Sequence, residues 1–329
     1  MSRYIERAEC TVRLVDVTLQ TLLEPEQSYE DIDYKHWQPI LLSLGDESIF
    51  TEKYEERNSQ NVTYFLTFDR ENPSSVFSCI ANARENARMI RDQISSEMWE
   101  TINTLYLFLK KQNANAVCRE IRFDFFKKIK ESSILFQGIT DSTFPHQIGY
   151  YFIICGRYIE RAEKTCRIIE SKQHMTDQIV EKADAIDTAQ WAAILKANSA
   201  FEAYHRVFVS DIEESSVLQF LILSKNLPRS LFFCIQKLQY AMHMISGCRL
   251  DQYSNEAERL TGMLLSKLNY GSPSDLTYEG EDSLLAEIVS NLESIAVELS
   301  ERYMFFPIVD PAAEPESQTQ EQSTVTAIS

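Results

Sequence analysis

The residues best suited to chemistry in this sequence are glutamates and arginines set at helical spacing. The heptapeptide Arg-Tyr-Ile-Glu-Arg-Ala-Glu occurs twice, at Arg3–Glu9 and again 154 positions later at Arg157–Glu163. On a helix it places Arg3, Glu6, Arg7 and Glu9, and likewise Arg157, Glu160, Arg161 and Glu163, beside an apolar stripe, with opposite charges three and four residues apart. Two readings stay open. The charges form a polar network holding two helices together, or they line a cleft as a carboxylate and guanidinium cluster, since a buried ion pair is weak evidence for stability alone.

A second cluster is Arg84, Glu85, Asn86, Arg88, Arg91 and Asp92. A helix through this segment would align Arg84, Arg88 and Arg91 on one face. Guanidiniums bind carboxylate and phosphate through planar, paired donors, so the stripe calls for counter-charges from protein carboxylates, with Asp92 four residues after Arg88, or from an anionic ligand. The positions 155 further on are Gln239, His243 and Ser246, so only the first half of the chain carries the stripe. That asymmetry favours an anion-recognition surface. Other chemistry lacks its residues. There is no HExxH, GxSxG, glycine-rich phosphate loop or CxxC pair. One Glu202-x-x-His205 stands alone, where a two-metal helical bundle would need two, so no metal and no cofactor are expected.

The elements that must position these residues are helices, and they repeat. Trp37-x-x-Ile40-Leu41 returns as Trp191-x-x-Ile194-Leu195, and Phe65-Leu66, Pro73-x-Ser75 and Cys79-Ile80 return as Phe220-Leu221, Pro228-x-Ser230 and Cys234-Ile235, all at offsets of 154 or 155. The pattern predicts an all-α protein made of two tandem units of about 155 residues packed as one pseudo-symmetric body. The units are placed at 1–145 and 146–306, followed by a disordered acidic and polar tail at 307–329. Ile5, Ala8, Val12, Val15 and Leu19 draw one stripe, with Ile159, Ala162, Cys166 and Ile169 as its partner. Ile80, Ala83, Ala87, Ile90 and Ile94 draw another. Leu285, Ile288, Leu292, Ile295 and Leu299 predict a long helix over 281–305. Asn72-Pro73 reads as a helix start, Ser210-x-x-Glu213 as a capping box, and residues 271–275 as a loop. The second heptapeptide follows the apolar run Ile148–Cys155, whereas the first begins two residues after the chain start; the first unit is therefore expected to be truncated at its N-terminus.

Composition agrees. Eight Gly and nine Pro in 329 residues are too few turn residues for a many-stranded sandwich, while 44% hydrophobic residues suffice for a large core. A formal charge of −17 repels polyphosphates and anionic lipid surfaces, so neither nucleic acid nor membrane is an expected partner. Seven scattered cysteines read as reduced thiols that fill cores, and the charged start and short apolar runs predict a cytoplasmic protein.

Three ordered motifs carry a resemblance: Arg3–Glu9, then Ala83-Arg-Glu-Asn-Ala-Arg88 leading through Arg91-Asp-Gln-Ile-Ser-Ser-Glu97-Met-Trp99, and Leu227-Pro-Arg-Ser230. Over about residues 1–305 the sequence resembles the bacterial alpha-E domain family, all-helical and of unknown function. Its genes neighbour, or are fused to, those of circularly permuted ATP-grasp ligases and transglutaminase-like proteins. The resemblance implies an accessory or substrate-binding component of an amide-ligating or peptide-modifying system, with those two proteins as partners. The alternatives are an all-helical enzyme that uses glutamate and arginine in amide chemistry, and a purely structural helical protein. The family supplies no catalytic residue to carry over.

Overall fold

The structure, a computed structural model, describes residues 1–22, 33–120, 123–176, 184–209, 211–271 and 284–303. The expected tail at 307–329, the loop residues 272–275 and Ser210 of the expected capping box lie outside these. Among the described residues every regular element is helical. In chain order they are α1 (Ser2–Leu22), α2 (Asp33–Leu44), α3 (Glu47–Lys53), α4 (Ser59–Thr67), α5 (Val76–Met89), α6 (Ser96–Lys110), α7 (Ala114–Glu120) and α8 (Phe123–Thr143). There follow α9 (Ile148–Thr176), α10 (Asp184–Ala197), α11 (Phe201–Val207), α12 (Glu214–Leu223), α13 (Leu231–Ser246), α14 (Glu256–Tyr270) and α15 (Leu284–Tyr303).

The long helix α9, 29 residues and about 43 Å, runs through the middle of the molecule. It packs against α13, α1, α2 and α15. α1 lies on α5, α8 and α9, because its stripe of Ile5, Ala8, Val12, Val15 and Leu19 is buried. α1 and α9 approach closely where Gly156 faces Ser2: a Cβ on Gly156 would sit 2.6 Å from Ser2 Oγ. Ser2 Oγ also donates to the Ile153 carbonyl at 3.0 Å. The helices carrying the two Trp-x-x-Ile-Leu segments cross over: α2 packs on α9 and α10 on α1. Trp37 and Trp191 are both completely buried in the same large core. A smaller core gathers Ile5, Ala83, Ala87, Met98, Ile102, Phe136 and Ile153 around the start of α1.

Local starts and stops follow from side chains that satisfy orphan amides. Asn58, Ser95, Ser230 and Asn255 each accept a backbone N–H at a helix start. The start expected at Asn72-Pro73 falls three residues later: α5 is capped by Ser75, which accepts from Ser78 N–H. Asn72 instead builds the turn before it, accepting from Ser74 N–H at 2.8 Å and donating to the Phe65 carbonyl at 3.3 Å. α12 begins at Glu214, with Glu213 in the cap position but making no side-chain cap bond. The seam Leu285 to Leu299 is buried along α15. α5 ends at Met89, so Ile90 is 40% exposed and drops out of the expected stripe, while Ile94 returns to the core from the following turn. No helix among the described residues is long and apolar enough to cross a membrane.

Candidate functional site

The two heptapeptides meet where α1 crosses α9, and their charges pair between the helices. Glu6, 1% exposed, accepts two parallel bonds from Arg161, Nε to Oε1 at 2.7 Å and Nη2 to Oε2 at 2.9 Å. Glu160, fully buried, accepts the matching pair from Arg7, at 2.5 and 3.0 Å, and a further bond from Arg3 Nε at 3.1 Å. Arg3 also reaches Glu163 at 3.6 Å, and Lys164 lies 4.0 Å from Glu160.

A fourth guanidinium comes from the turn before α13. Arg229 donates to Glu6 Oε1 at 3.1 Å and to Glu9 Oε1 at 2.8 Å, and Thr165 Oγ1 holds its backbone by donating to the Arg229 carbonyl. Gln137 of α8 closes the cluster: its amide donates to Glu6 Oε2 at 3.1 Å and its carbonyl accepts from Arg161 at 3.2 Å. Arg13 pairs with Glu9 at 2.6 Å. The two oxygens of Glu6 thus receive four N–H donors, which fills the lone-pair sites of a carboxylate, and the Cys10 thiol lies 4.0 Å from Oε1.

Burial alone would raise the Glu6 carboxyl, but the Arg161 and Arg229 guanidiniums outweigh it and bring it down to about 2. Glu160 follows the same balance: burial opposes ionisation, and Arg7, Lys164 and Arg3 overcome it, leaving the carboxyl below its usual range. Arg7, Arg161 and Arg229 are held above the usual guanidinium value against their own desolvation. A general acid or base near neutral pH needs a carboxyl raised toward that pH, and these are displaced the other way.

The remaining member of the heptapeptides, Arg157, is 6% exposed, pairs with the half-exposed Asp141 at 3.6 Å and lends its charge to Glu6; among the described residues its Nη2 has no hydrogen-bond partner. Burial lifts Asp46, at the start of α3, to about 6, against Lys164, Asn72 and Arg7, and its Oδ2 is buried without a hydrogen bond.

The second cluster does not form one helical stripe, since α5 ends before Arg91. The Arg84 guanidinium stands over two aromatic rings, 4.8 Å from the centroid of Tyr106 and 5.6 Å from that of Trp99, with Nε donating to Asn103 at 2.8 Å. Glu85 bridges Arg84 and Arg88 at 2.8 Å each. The expected Arg88–Asp92 pair does not form, because the helix ends at Met89; Arg88 takes Glu85, and Asp92 accepts from Gln93. Arg91 therefore leaves the helical stripe, and its guanidinium stands over Trp99 at 5.8 Å. Asn86 is half-buried on α5, and Arg88, Arg91 and Asp92 are exposed. Trp99 is half-buried, with the guanidiniums of Arg84 and Arg91 over its ring. His205 is exposed, its ring edge-on to Phe201 and Tyr204. Sequence reasoning did not place Arg229, Gln137 or Asp46 in the site. For Arg229 a signal existed: it replaces Ser74 at the aligned position of the other half.

A family described as a predicted alpha-helical domain with a conserved ER motif matches residues 1–304. The chain belongs to the Alpha-E family. Glu6-Arg7 and Glu160-Arg161, the Glu–Arg pairs inside the repeated heptapeptide of this Alpha-E chain, are the residues that join α1 to α9. Uncharacterised proteins of Mycobacterium bovis and Mycobacterium tuberculosis are 21% identical over 318 residues, covering 91% of this chain and 34% of theirs. The chain thus spans about a third of the length of the curated relatives it matches. No solved structure matches the chain.

Proposed function

We propose that this chain is a non-catalytic helical component of an amide-ligating or peptide-modifying system, acting with an ATP-grasp ligase in the bacterial cytoplasm. The observation that carries the non-catalytic part is the state of Glu6 and Glu160: both are buried, ionised and saturated by arginines, so the Glu–Arg pairs act as an interhelical lock and hold no transferable proton. The link to an ATP-grasp ligase and a transglutaminase-like protein rests on the family resemblance. The face left for recognition is that of Arg88 and Arg91, which offers an acidic segment of a partner or peptide two exposed guanidiniums.

The same reading takes the two halves of the chain, 1–145 and 146–306, as copies of one unit. The reciprocal pairs Arg7–Glu160 and Arg161–Glu6, and the exchange of α2 and α10 between α9 and α1, support it. The test is binding of the purified full chain to an ATP-grasp ligase from the same genome, by calorimetry. The proposal expects a complex that Glu6→Gln weakens only as far as it unfolds the chain, and that Arg88→Gln combined with Arg91→Gln weakens at unchanged melting temperature. Turnover of an amide substrate by the chain alone, abolished by Glu6→Gln in folded protein, would overturn it.

A further inference from the structure

Away from the α1–α9 lock, the junction of α13 and α14 brings together three side chains that the ion-pair network does not use. α13 stops at Gly247, whose φ of 74° lies in the left-handed region and whose N–H returns to the His243 carbonyl. That reversal folds Cys248 back onto the last turn, where its carbonyl lies 3.1 Å from Nδ1 of His243. α14 starts behind the Asn255 cap, and the Glu258 side chain turns back to the same place, accepting from Ser254 N–H at 2.6 Å and Ser254 Oγ at 3.2 Å. A ring nitrogen of His243, Sγ of Cys248 and a carboxylate oxygen of Glu258 all lie within 4.8 Å of one another. His243 and Glu258 are 5% and 1% exposed, and Cys248 alone is half-open to solvent.

We propose that His243, Cys248 and Glu258 form a zinc site with a water molecule in the fourth position. Imidazole, thiolate and carboxylate are the three protein donors that zinc takes. A nitrogen, sulfur and oxygen set disfavours calcium and magnesium, which want oxygen alone. With its Nδ1–H donated to the Cys248 carbonyl, His243 carries its lone pair on Nε2, the outer bond that commonly fixes a zinc-binding histidine. Ser254 anchors the carboxylate in the same way. Binding releases the thiol proton of Cys248 to solvent, and the thiolate and the carboxylate then balance the two charges of the ion. Tetrahedral zinc separates its ligand atoms by about 3.3–3.8 Å, a small contraction that the loop carrying Cys248 can supply.

The Gly247 turn returns Cys248 to His243, and Glu258 bonds back to Ser254 with its charge near His243; the two local motifs meet so that all three donor types face one point. The position aligned with Arg88 in the first half is His243 in the second, so the two halves would carry different recognition chemistry at one place in the repeat.

The experiment is titration of the reduced, chelator-treated full chain with Co(II), followed by displacement with Zn(II). The expected result is one Co(II) per chain, with thiolate-to-metal charge-transfer absorption and the visible bands of a tetrahedral ion, both erased by stoichiometric zinc. Cys248→Ser should remove the charge-transfer band, and His243→Gln should weaken zinc at least about tenfold. Circular dichroism checks that each variant is folded. Because Cys248 sits on a loop and is half-exposed, its variant decides the matter even where His243→Gln destabilises the chain. Absence of the thiolate band, or its persistence in folded Cys248→Ser, overturns the site.

Discussion

Glu6→Gln keeps the shape of the side chain at the centre of the α1–α9 lock and removes its charge. Arg161 and Arg229 then meet a neutral amide with a single acceptor oxygen; Arg161 keeps Gln137 and the Pro228 carbonyl, and Arg229 keeps Glu9 and the Cys10 sulfur, so two guanidiniums, 6% and 8% exposed, face one remaining carboxylate that Arg13 already shares. Breaking one side of a buried pair costs about 3–5 kcal/mol. The depression of the carboxyl from 4.5 to about 2 gives an independent figure of roughly 3 kcal/mol. For a chain of 329 residues that corresponds to a fall in Tm of roughly 4–7 °C. The assay is urea unfolding at neutral pH, comparing wild type and variant at equal m-value. The pH dependence has a fixed sign. The folded carboxyl is more acidic than the unfolded one, so its contribution is complete above about pH 4.5 and fades as pH falls toward about 2, where a protonated Glu6 resembles the glutamine. A loss under about 1 kcal/mol, the range of a surface pair, refutes the reasoning. So does a difference that stays constant as the carboxyl is titrated.

Arg88→Gln, 64% exposed and paired to a half-exposed Glu85, should change stability by less than about 1 kcal/mol, whereas Arg84→Ala, which strips a guanidinium from Trp99 and Tyr106, should cost about 1–2 kcal/mol in thermal melts. Asp46→Asn should stabilise the chain at neutral pH by up to about 3 kcal/mol: burial lifts this carboxyl from 3.8 to about 6, so the favourable neutral form is lost as pH rises through about 6. Denaturant midpoints should therefore converge for the two proteins near pH 3.8 and below. Of the seven cysteines only Cys248 is half-open, while burial pushes Cys10 up to about 11 and Cys79 to about 12; mass-mapped alkylation of the native chain should mark Cys248 first.

The helical class was legible because the apolar stripes of α1, α9 and α15 have the period of a helix and nothing competes with it. The repeated heptapeptide named the residues that pair between α1 and α9, yet the pairing itself was only half readable. Local spacing suggests Arg3 with Glu6, three residues apart, while in the structure Arg3 takes Glu160 across to the other helix. Charge pairs within a helix are worth a few tenths of a kcal/mol, so tertiary burial overrides them. The arginine stripe failed for a local reason, since a helix ending at Met89 cannot carry Arg91 on its face. The grouping of His243, Cys248 and Glu258 depends on a left-handed turn at Gly247 and on a second helix folding back, neither of which has a fixed residue spacing to search for.

The reach of the lock along the chain sets an order on folding. Glu6 and its partner Arg229 are separated by 223 residues, so at cellular translation rates the glutamate leaves the ribosome roughly 10–45 s before its second arginine exists. During that interval α1 has an apolar stripe and two carboxylates with their main counter-charges still unmade, and its native neighbour α9 completes only later. The first half of the nascent chain therefore waits, exposed, for the second. A chaperone that shields α1 during synthesis should raise the yield of this protein more than one acting after release, and slowing translation ahead of α9 should lower it.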